Sequence, residues 1–353
     1  MAADHGSEFR LAVLNPGGRD PEQDFAESTG APPGAAHAPV NFHAYAACTG
    51  GTFFRDVAPA SATGWPVLLL LRGDFRSAER ALQLLQSAGR TVAVSLKETG
   101  LHQIAAQLSH PGRLARFIEI VRRADGCIAP TAEAADVYRF ARQNDHGLAF
   151  IPTPYPLHDL QWDFSVPIQE RDGIFVGTRE WQVPSRNHAA ALLAARQLSD
   201  RTGASVTVYN VDGRAGERLV SHLGFARDRL QVLSRRVRYA EYLRSVAQHK
   251  IVLQMDTSFV PGQVAGDALL CRLPCVGGNG AVDCLGHPVT CGAGRSGAEL
   301  VEIASRLLAD PDFYQETVAD SERNARERLS FSGATEQLAH FFSQLPRRPT
   351  AAA

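Results

Sequence analysis

Short apolar runs alternate with amphipathic stretches along almost the whole chain, and the series runs twice. Residues 67–71 read Val-Leu-Leu-Leu-Leu, and the runs at 11–14, 91–95, 126–129 and 148–151 complete a first series. After a break a second series follows at 173–176, 205–209, 230–233, 250–253, 274–276 and 288–290. Several of these runs are apolar on both faces, as a central parallel strand must be when helices cover both sides of its sheet. Helical stretches lie between them at 77–88, 113–123, 132–143, 188–199, 239–248 and 299–308. In the last, Leu300, Ile303, Ala304, Leu307 and Leu308 follow the spacing of one helix face. Strands that alternate with helices form βαβ units. The expected fold class is therefore α/β, with two Rossmann-like, doubly wound parallel sheets facing a cleft.

The break between the series, residues 151–167, holds four prolines in 17 residues and cannot be helical. With 353 residues, two domains are expected. We place an N-terminal domain at 1–165, a second at 166–334, and a C-terminal helix and tail at 335–353. In that last segment Leu338, Phe341, Phe342 and Leu345 form one apolar stripe, so the helix should dock, with the N-terminal domain as its candidate surface. Residues 16–40 are irregular and rich in Gly, Pro and Ala. In open α/β sheets ligands bind outside the carboxyl ends of the strands, so functional residues are sought in the loops that follow them.

Charge narrows the function. The formal net charge is −1, without the basic excess that phosphate-driven binding of a polynucleotide requires, so no nucleic-acid partner is expected. Of 36 basic residues only Lys97 and Lys250 are lysines, so guanidinium groups must make almost every cationic contact. No run reaches the ~18 apolar residues that span a bilayer. The N-terminal residues lack the apolar core of a signal peptide, and a cytoplasmic location is expected. Arg235-Arg236-x-Arg238 reads either as a solvated loop or as a peripheral contact with an anionic membrane or lipid phosphate. Four of the six cysteines, Cys271, Cys275, Cys284 and Cys291, fall within 21 residues as C-x3-C-x8-C-x6-C. That spacing lacks the close pairs of a zinc ribbon, so buried structural thiols are expected and no metal site.

The segment 260–280 carries the most chemistry. It follows a strand, opens a helix near Gln263 and ends in a second strand. Gly262 at the helix start allows close backbone approach, and the free N–H groups of the first turn form an anion site. The helix dipole supplies only roughly 0.3–1 kcal/mol there, so cationic side chains must help. Asp267, one turn in, could accept hydrogen bonds from sugar hydroxyls. Gly277-Gly-Asn-Gly280 is either part of the site or a tight turn, and it lacks the register of a dinucleotide fingerprint.

Asp267-Ala-Leu-Leu-Cys-Arg-Leu-Pro-Cys-Val resembles the Glu-Ala-Met-Ala-x-Gly-x-Pro-Val-Val signature of GT-B glycosyltransferases of the family 4 type. Phe175-Val-Gly-Thr-Arg179, followed by Arg186, resembles the opening of that family's donor domain. Ala124-Asp-Gly-Cys-Ile-Ala-Pro-Thr131 and Phe150-Ile-Pro-Thr153 resemble the end of its acceptor domain. Asn15-Pro-Gly-Gly18 resembles its first glycine loop. The resemblance implies that Arg179 and Arg186 hold a donor diphosphate, with Gly177 at the strand end and Gly262 and Gln263 completing the cradle. Asp267 would meet the ribose, Gly278 would line the cleft, and the base would lie near the loops after Tyr209 and Leu233. The family pattern Glu-x7-Glu has Phe259 at its first glutamate here, and Asp256 is the nearest carboxylate to replace it. On the acceptor side the implied residues are Gly17, Gly18 and Lys97, with Glu98 and His102 as catalytic candidates beside Asp256. Glu98 or Asp20 would be the base of an inverting reaction, whereas a retaining one needs none.

The expected function is transfer of a sugar from a nucleotide-diphosphate donor to an acceptor hydroxyl, with no cofactor and no metal. The acceptor would be a carbohydrate, a lipid-linked molecule or a small molecule. Two other readings stay open: a non-catalytic nucleotide-sugar-binding protein of GT-B type, suggested by Phe259, and a nucleotide-sugar epimerase of related fold. Arg186 and Asp267 also have ordinary readings as a surface arginine and a solvated helix residue, and Glu98 as a helix-start charge.

Overall fold

The computed structural model describes residues 9–27, 29, 38–177, 180–211, 213–226 and 228–346. The chain forms two compact units: one runs to Pro156 and resumes at Ser330, and the other is Leu157–Leu329.

In the first unit the described strands are β1 (Ala12–Leu14), β2 (Gln23–Asp24), β3 (Thr52–Phe54), β4 (Val67–Leu71), β5 (Val92–Leu96), β6 (Gly126–Ala129) and β7 (Leu148–Phe150). They form one sheet in the order β2-β3-β1-β4-β5-β6-β7, parallel throughout except for β2 against β3. The centre follows from side-chain alternation. Val67, Leu69 and Leu71 join Phe75, Phe117 and Tyr138 in one core cluster, while Leu68 and Leu70 join Tyr45 and Phe53 in another. All five β4 residues are fully buried. Each such leucine contributes about 1.5–3 kcal/mol on burial. The helix Phe331–Ser343 packs against the helix Phe42–Cys48 in this unit and places Leu338, Phe341 and Phe342 in the second cluster. Thr335 Oγ1 donates to the Cys48 carbonyl at 2.6 Å, and Ser330 caps the helix start through Gly333 N–H.

In the second unit β8 (Ile174–Val176), β9 (Val206–Tyr209), β10 (Leu230–Leu233), β11 (Ile251–Leu253) and β12 (Cys275–Val276) form an all-parallel sheet ordered β10-β9-β8-β11-β12. The helices His188–Thr202 and Gly297–Ala309 cover its core with Leu192, Leu198, Leu300 and Leu307. Residues 157–165, a linker by sequence, pack on this unit. Phe164 N–H donates to the Leu270 carbonyl at 2.9 Å, and Asp163 pairs with Arg272 at 2.6 Å.

The run 288–290 is a turn and not the expected strand. Pro288 has no N–H to offer a sheet, and the His287 carbonyl accepts from both Thr290 N–H and Cys291 N–H at 3.0 and 2.8 Å. In each sheet the connections reverse beside the first strand of the series, between β1 and β4 and between β8 and β11. Those switch points are where an open α/β sheet offers a crevice to ligands.

Candidate functional site

At the β8/β11 switch point the backbone is built around glycines. Gly177 follows β8, and its N–H donates to the Leu253 carbonyl at 3.0 Å. Val264, in the first turn of the helix Gln263–Leu270, occupies the place where a Gly177 side chain would start. Gly262 caps that helix at φ +92°, in the left-handed region that favours glycine. A β-carbon there would lie 2.6 Å from Asp283 Oδ2. Gly278, at φ +75°, abuts the other oxygen of the same carboxyl. Asp283, 2% exposed, thus fills the space between the helix start and the glycine turn, and its Oδ1 accepts from Gln254 Nε2 at 2.6 Å. Burial pushes its carboxyl well above the usual range, with Asp256 and Cys291 adding to the effect.

Arg186 belongs to the same region. It ends the 3₁₀ turn Pro184–Arg186, which is tied to the loop after β11 by Thr257 N–H donating to the Ser185 carbonyl at 2.8 Å. Its guanidinium pairs with Asp256 through Nη1 and with Glu180 through Nε and Nη2. Burial works against the charge on Arg186, but Asp256 and Glu180 outweigh it and hold the guanidinium more firmly protonated. The Arg186 and Asp256 side chains are 17% and 8% exposed, whereas Glu180 is 41% exposed. Asp256 also accepts from Ser258 N–H at 2.8 Å. Phe259 takes a left-handed φ of +48°, and its N–H donates to Asn279 Oδ1 at 3.0 Å. Gln263 is the first residue of the helix, and Asp267 is 3% exposed and accepts from the Tyr239 hydroxyl. Arg179 lies outside the described residues.

Beyond the ends of β9 and β10 lies a cavity of about 300 Å³, lined by Tyr209, Leu233, Arg235, Glu241 and Tyr242 among others. The Tyr209 and Tyr242 rings are 5.1 Å apart at 54°.

The first unit has its own cluster at the β1/β4 switch point. Gly17, at φ +71°, accepts at its carbonyl from Arg72 at 2.9 Å, and Gly18 leaves room for the Asn15 side chain. Asn15 donates to Asp20 at 2.9 Å, and Lys97, just past β5, pairs with the same carboxylate at 3.1 Å. Glu98 Oε2 and His102 Nδ1 are buried without a hydrogen-bond partner among the described residues. Burial raises the Glu98 carboxyl, while Lys97 and Arg72 pull it back. His43 is structural: its ring stacks on Phe53 at 3.7 Å and Nε2 meets the Pro21 carbonyl at 2.9 Å.

The structure therefore brings together Gly177, Arg186, Asp256, Gly262, Gln263 and Gly278 in one unit, and Gly17, Gly18, Lys97 and Glu98 in the other. Sequence reasoning missed Glu180 and Asp283. A carboxylate a few residues after a Gly-Gly-x-Gly turn was the available signal for Asp283.

Solved structures share the fold. The Anabaena protein HepE, in complex with UDP-glucose, is 15% identical, with a TM-score of 0.63 over 95% of this chain and 100% of its own. The chain has the GT-B fold. A Burkholderia multivorans alpha,alpha-trehalose 6-phosphate synthase shares it at 10% identity and a TM-score of 0.60, over 81% of this chain and 75% of that one. An E. coli trehalose-6-phosphate structure bound with UDP-2-fluoro glucose does so at 10% identity and 0.61, over 83% and 77%. No family profile and no curated protein matches the chain. Within this GT-B chain, no described group of three or more His, Cys, Asp or Glu side chains is placed to hold a metal ion. No described helix is long and apolar enough to cross a membrane.

Proposed function

We propose that this protein is a glycosyltransferase that takes a sugar from a nucleoside-diphosphate donor and passes it to an acceptor hydroxyl without a bound metal. The observation that carries the reading is Arg186, fixed by Asp256 beside a glycine-led helix start at the switch point of a parallel sheet. A guanidinium offers phosphate a planar fork of donors, and the first N–H groups of the helix add theirs. Glu180 is the exposed partner of Arg186, and an exposed ion pair contributes little, about 0–1 kcal/mol. A diphosphate would displace Glu180 and leave Asp256 to hold the guanidinium in place. The family resemblance would add Arg179 as a second cation. These cations would stabilise the leaving diphosphate in the role that a metal plays elsewhere.

The cavity beyond β9 and β10 would take the nucleobase against Tyr209 and Tyr242. HepE in complex with UDP-glucose makes uridine donors the first to try. On the acceptor side, the raised carboxyl of Glu98 suits a general base if the reaction inverts the anomeric centre. If the reaction retains, the leaving diphosphate would take the acceptor proton. The acceptor would be a carbohydrate, a lipid-linked molecule or a small molecule.

Calorimetric titration with UDP, GDP, dTDP and CMP tests donor binding, with UDP expected to bind. Mass spectrometry of reactions with UDP-sugars and an acceptor panel tests transfer, which should survive EDTA. Absence of any nucleotide binding at millimolar concentration sinks the proposal. Phe259 at the glutamate position favours the second reading, a protein that binds nucleotide sugars without transferring them. Binding without product in the same assays would select it.

A further inference from the structure

Tyr239 opens the helix Tyr239–Ala247, and its hydroxyl donates to Asp267 Oδ1 on the neighbouring helix Gln263–Leu270. Residues three apart on a helix share a face, and the Tyr239 and Tyr242 rings stack there, 6.2 Å apart at 20°. Tyr242 in turn lies 5.1 Å from Tyr209, and both line the cavity beyond β9 and β10. The Trp162 ring, 2% exposed, packs 6.1 Å from Tyr239. A phenol has only two side-chain torsions, and these neighbours hold it. Asp267 is 3% exposed whereas Tyr239 is half-buried, so the tyrosine and not the carboxylate is the exposed member of the pair.

Tyr239 is thus tied to both ends of the donor site proposed above. Through Tyr242 it borders the cavity proposed for the nucleobase. Through Asp267 it is bonded to the helix whose start, at Gly262 and Gln263, is proposed for the diphosphate. The part of a nucleotide that joins its base to its phosphates is the ribose. An ionised carboxylate can only accept, so in this pair the hydroxyl gives its proton to Asp267, and the lone pairs of its oxygen face other donors. A hydroxyl polarised in this way becomes a better acceptor.

We propose that Tyr239 is a specificity-determining residue of the donor site: its hydroxyl oxygen accepts from a ribose hydroxyl, while Asp267 positions that oxygen from behind without touching the nucleotide. The contact expected between Asp267 and the ribose then runs through Tyr239. The site favours ribonucleoside diphosphates over analogues that lack the 2′ and 3′ hydroxyls. That role rests on the donor site proposed above, and the test separates the two.

Calorimetric titration of the full-length protein with UDP and with 2′,3′-dideoxyuridine diphosphate gives a ratio of dissociation constants. The wild type should prefer UDP about tenfold, the effect of one or two hydrogen bonds. Tyr239→Phe keeps the ring and removes the hydroxyl, and its ratio should fall below about twofold. Each ratio is taken on one protein, so a loss of folded fraction cancels. Asp267→Asn, whose amide oxygen still accepts from the hydroxyl, should keep most of the preference. A Tyr239→Phe ratio equal to that of the wild type overturns this role alone and leaves the donor site standing, as does a wild type that binds both ligands equally. A preference lost in Asp267→Asn but kept in Tyr239→Phe gives the contact to the carboxylate and overturns it too. A wild type that binds neither ligand at millimolar concentration overturns the donor site and this role with it.

Discussion

Arg186 is the residue on which the donor reading turns, and it has two jobs that a single substitution separates by readout. Charge-assisted hydrogen bonds contribute roughly 1.5–3 kcal/mol each. Arg186→Ala should therefore weaken UDP about 10- to 100-fold in calorimetry. It also strands Asp256, which is 8% exposed, so the variant should lose about 2 kcal/mol of stability in urea unfolding. Asp256→Asn combined with Arg186→Ala should recover most of that stability and none of the affinity. A double variant that regains UDP binding would show that the guanidinium contributes to folding alone. Glycine at 278 is a second sharp point. Gly278→Ala meets the Asp283 carboxyl and a φ of +75°, and should cost more than 2 kcal/mol in unfolding of the second unit.

At the scale of the element, the helix Ala281–Gly286 and the residue that closes it carry two buried titratable groups that burial pushes in opposite directions. His287 Nε2 meets the Ala265 carbonyl at 3.1 Å and so carries the proton, while Nδ1 faces Ser321 Oγ at 3.2 Å. Burial lowers His287 to about 4. A base with a depressed folded pKa gives stability that is present above its unfolded value, near 6.5, and is lost as pH falls through the folded one. Unfolding should lose about 3 kcal/mol between pH 7 and pH 4 through this residue, and His287→Gln should flatten that limb. Asp283 acts in the opposite sense: its raised carboxyl gives stability that is complete below its unfolded pKa and lost as pH rises through the folded one. Asp283→Asn should therefore lose less stability than the wild type on going from acid to neutral pH.

The same elements mark what the sequence could reveal. β4, β5 and the helix Gly297–Ala309 were legible because their apolar periods are long enough to count. β2 and β3, two and three residues long, carry no period at all. The run 288–290 misled because proline, valine and threonine look like a strand end until the carbonyl of His287 claims the N–H groups that follow. Glycines and an arginine marked, by residue type, the segments that meet at the β8/β11 switch point, where the donor cradle is proposed. The capture of Arg186 by Asp256, 70 residues away, and the burial of Asp283 depend on the folded backbone, and no local pattern encodes them.

At the scale of the whole molecule, the chain leaves its first unit at Pro156, builds the second, and returns at Ser330 to finish the first. The returning helix is no appendage. Leu338, Phe341 and Phe342 are each at most 8% exposed in the core cluster around Leu68 and Tyr45. At about 1.5–3 kcal/mol for each buried side chain, their removal withdraws on the order of 6 kcal/mol. That is comparable with the 5–15 kcal/mol that holds a typical domain folded. A chain ending at Leu329 should therefore lose the cooperative unfolding transition of its first unit. The second unit, whose residues are contiguous, should keep its own. If the donor site resides wholly in that second unit, the truncated chain should bind UDP within about twofold of the full-length protein while transferring no sugar. Saturating UDP at about a hundred times its Kd should also raise the stability of that surviving transition by about 2.7 kcal/mol. Differential scanning calorimetry with and without nucleotide reads both effects at once. Loss of both transitions in the truncated chain, or UDP that stabilises neither unit, would contradict the division of labour between the two sheets.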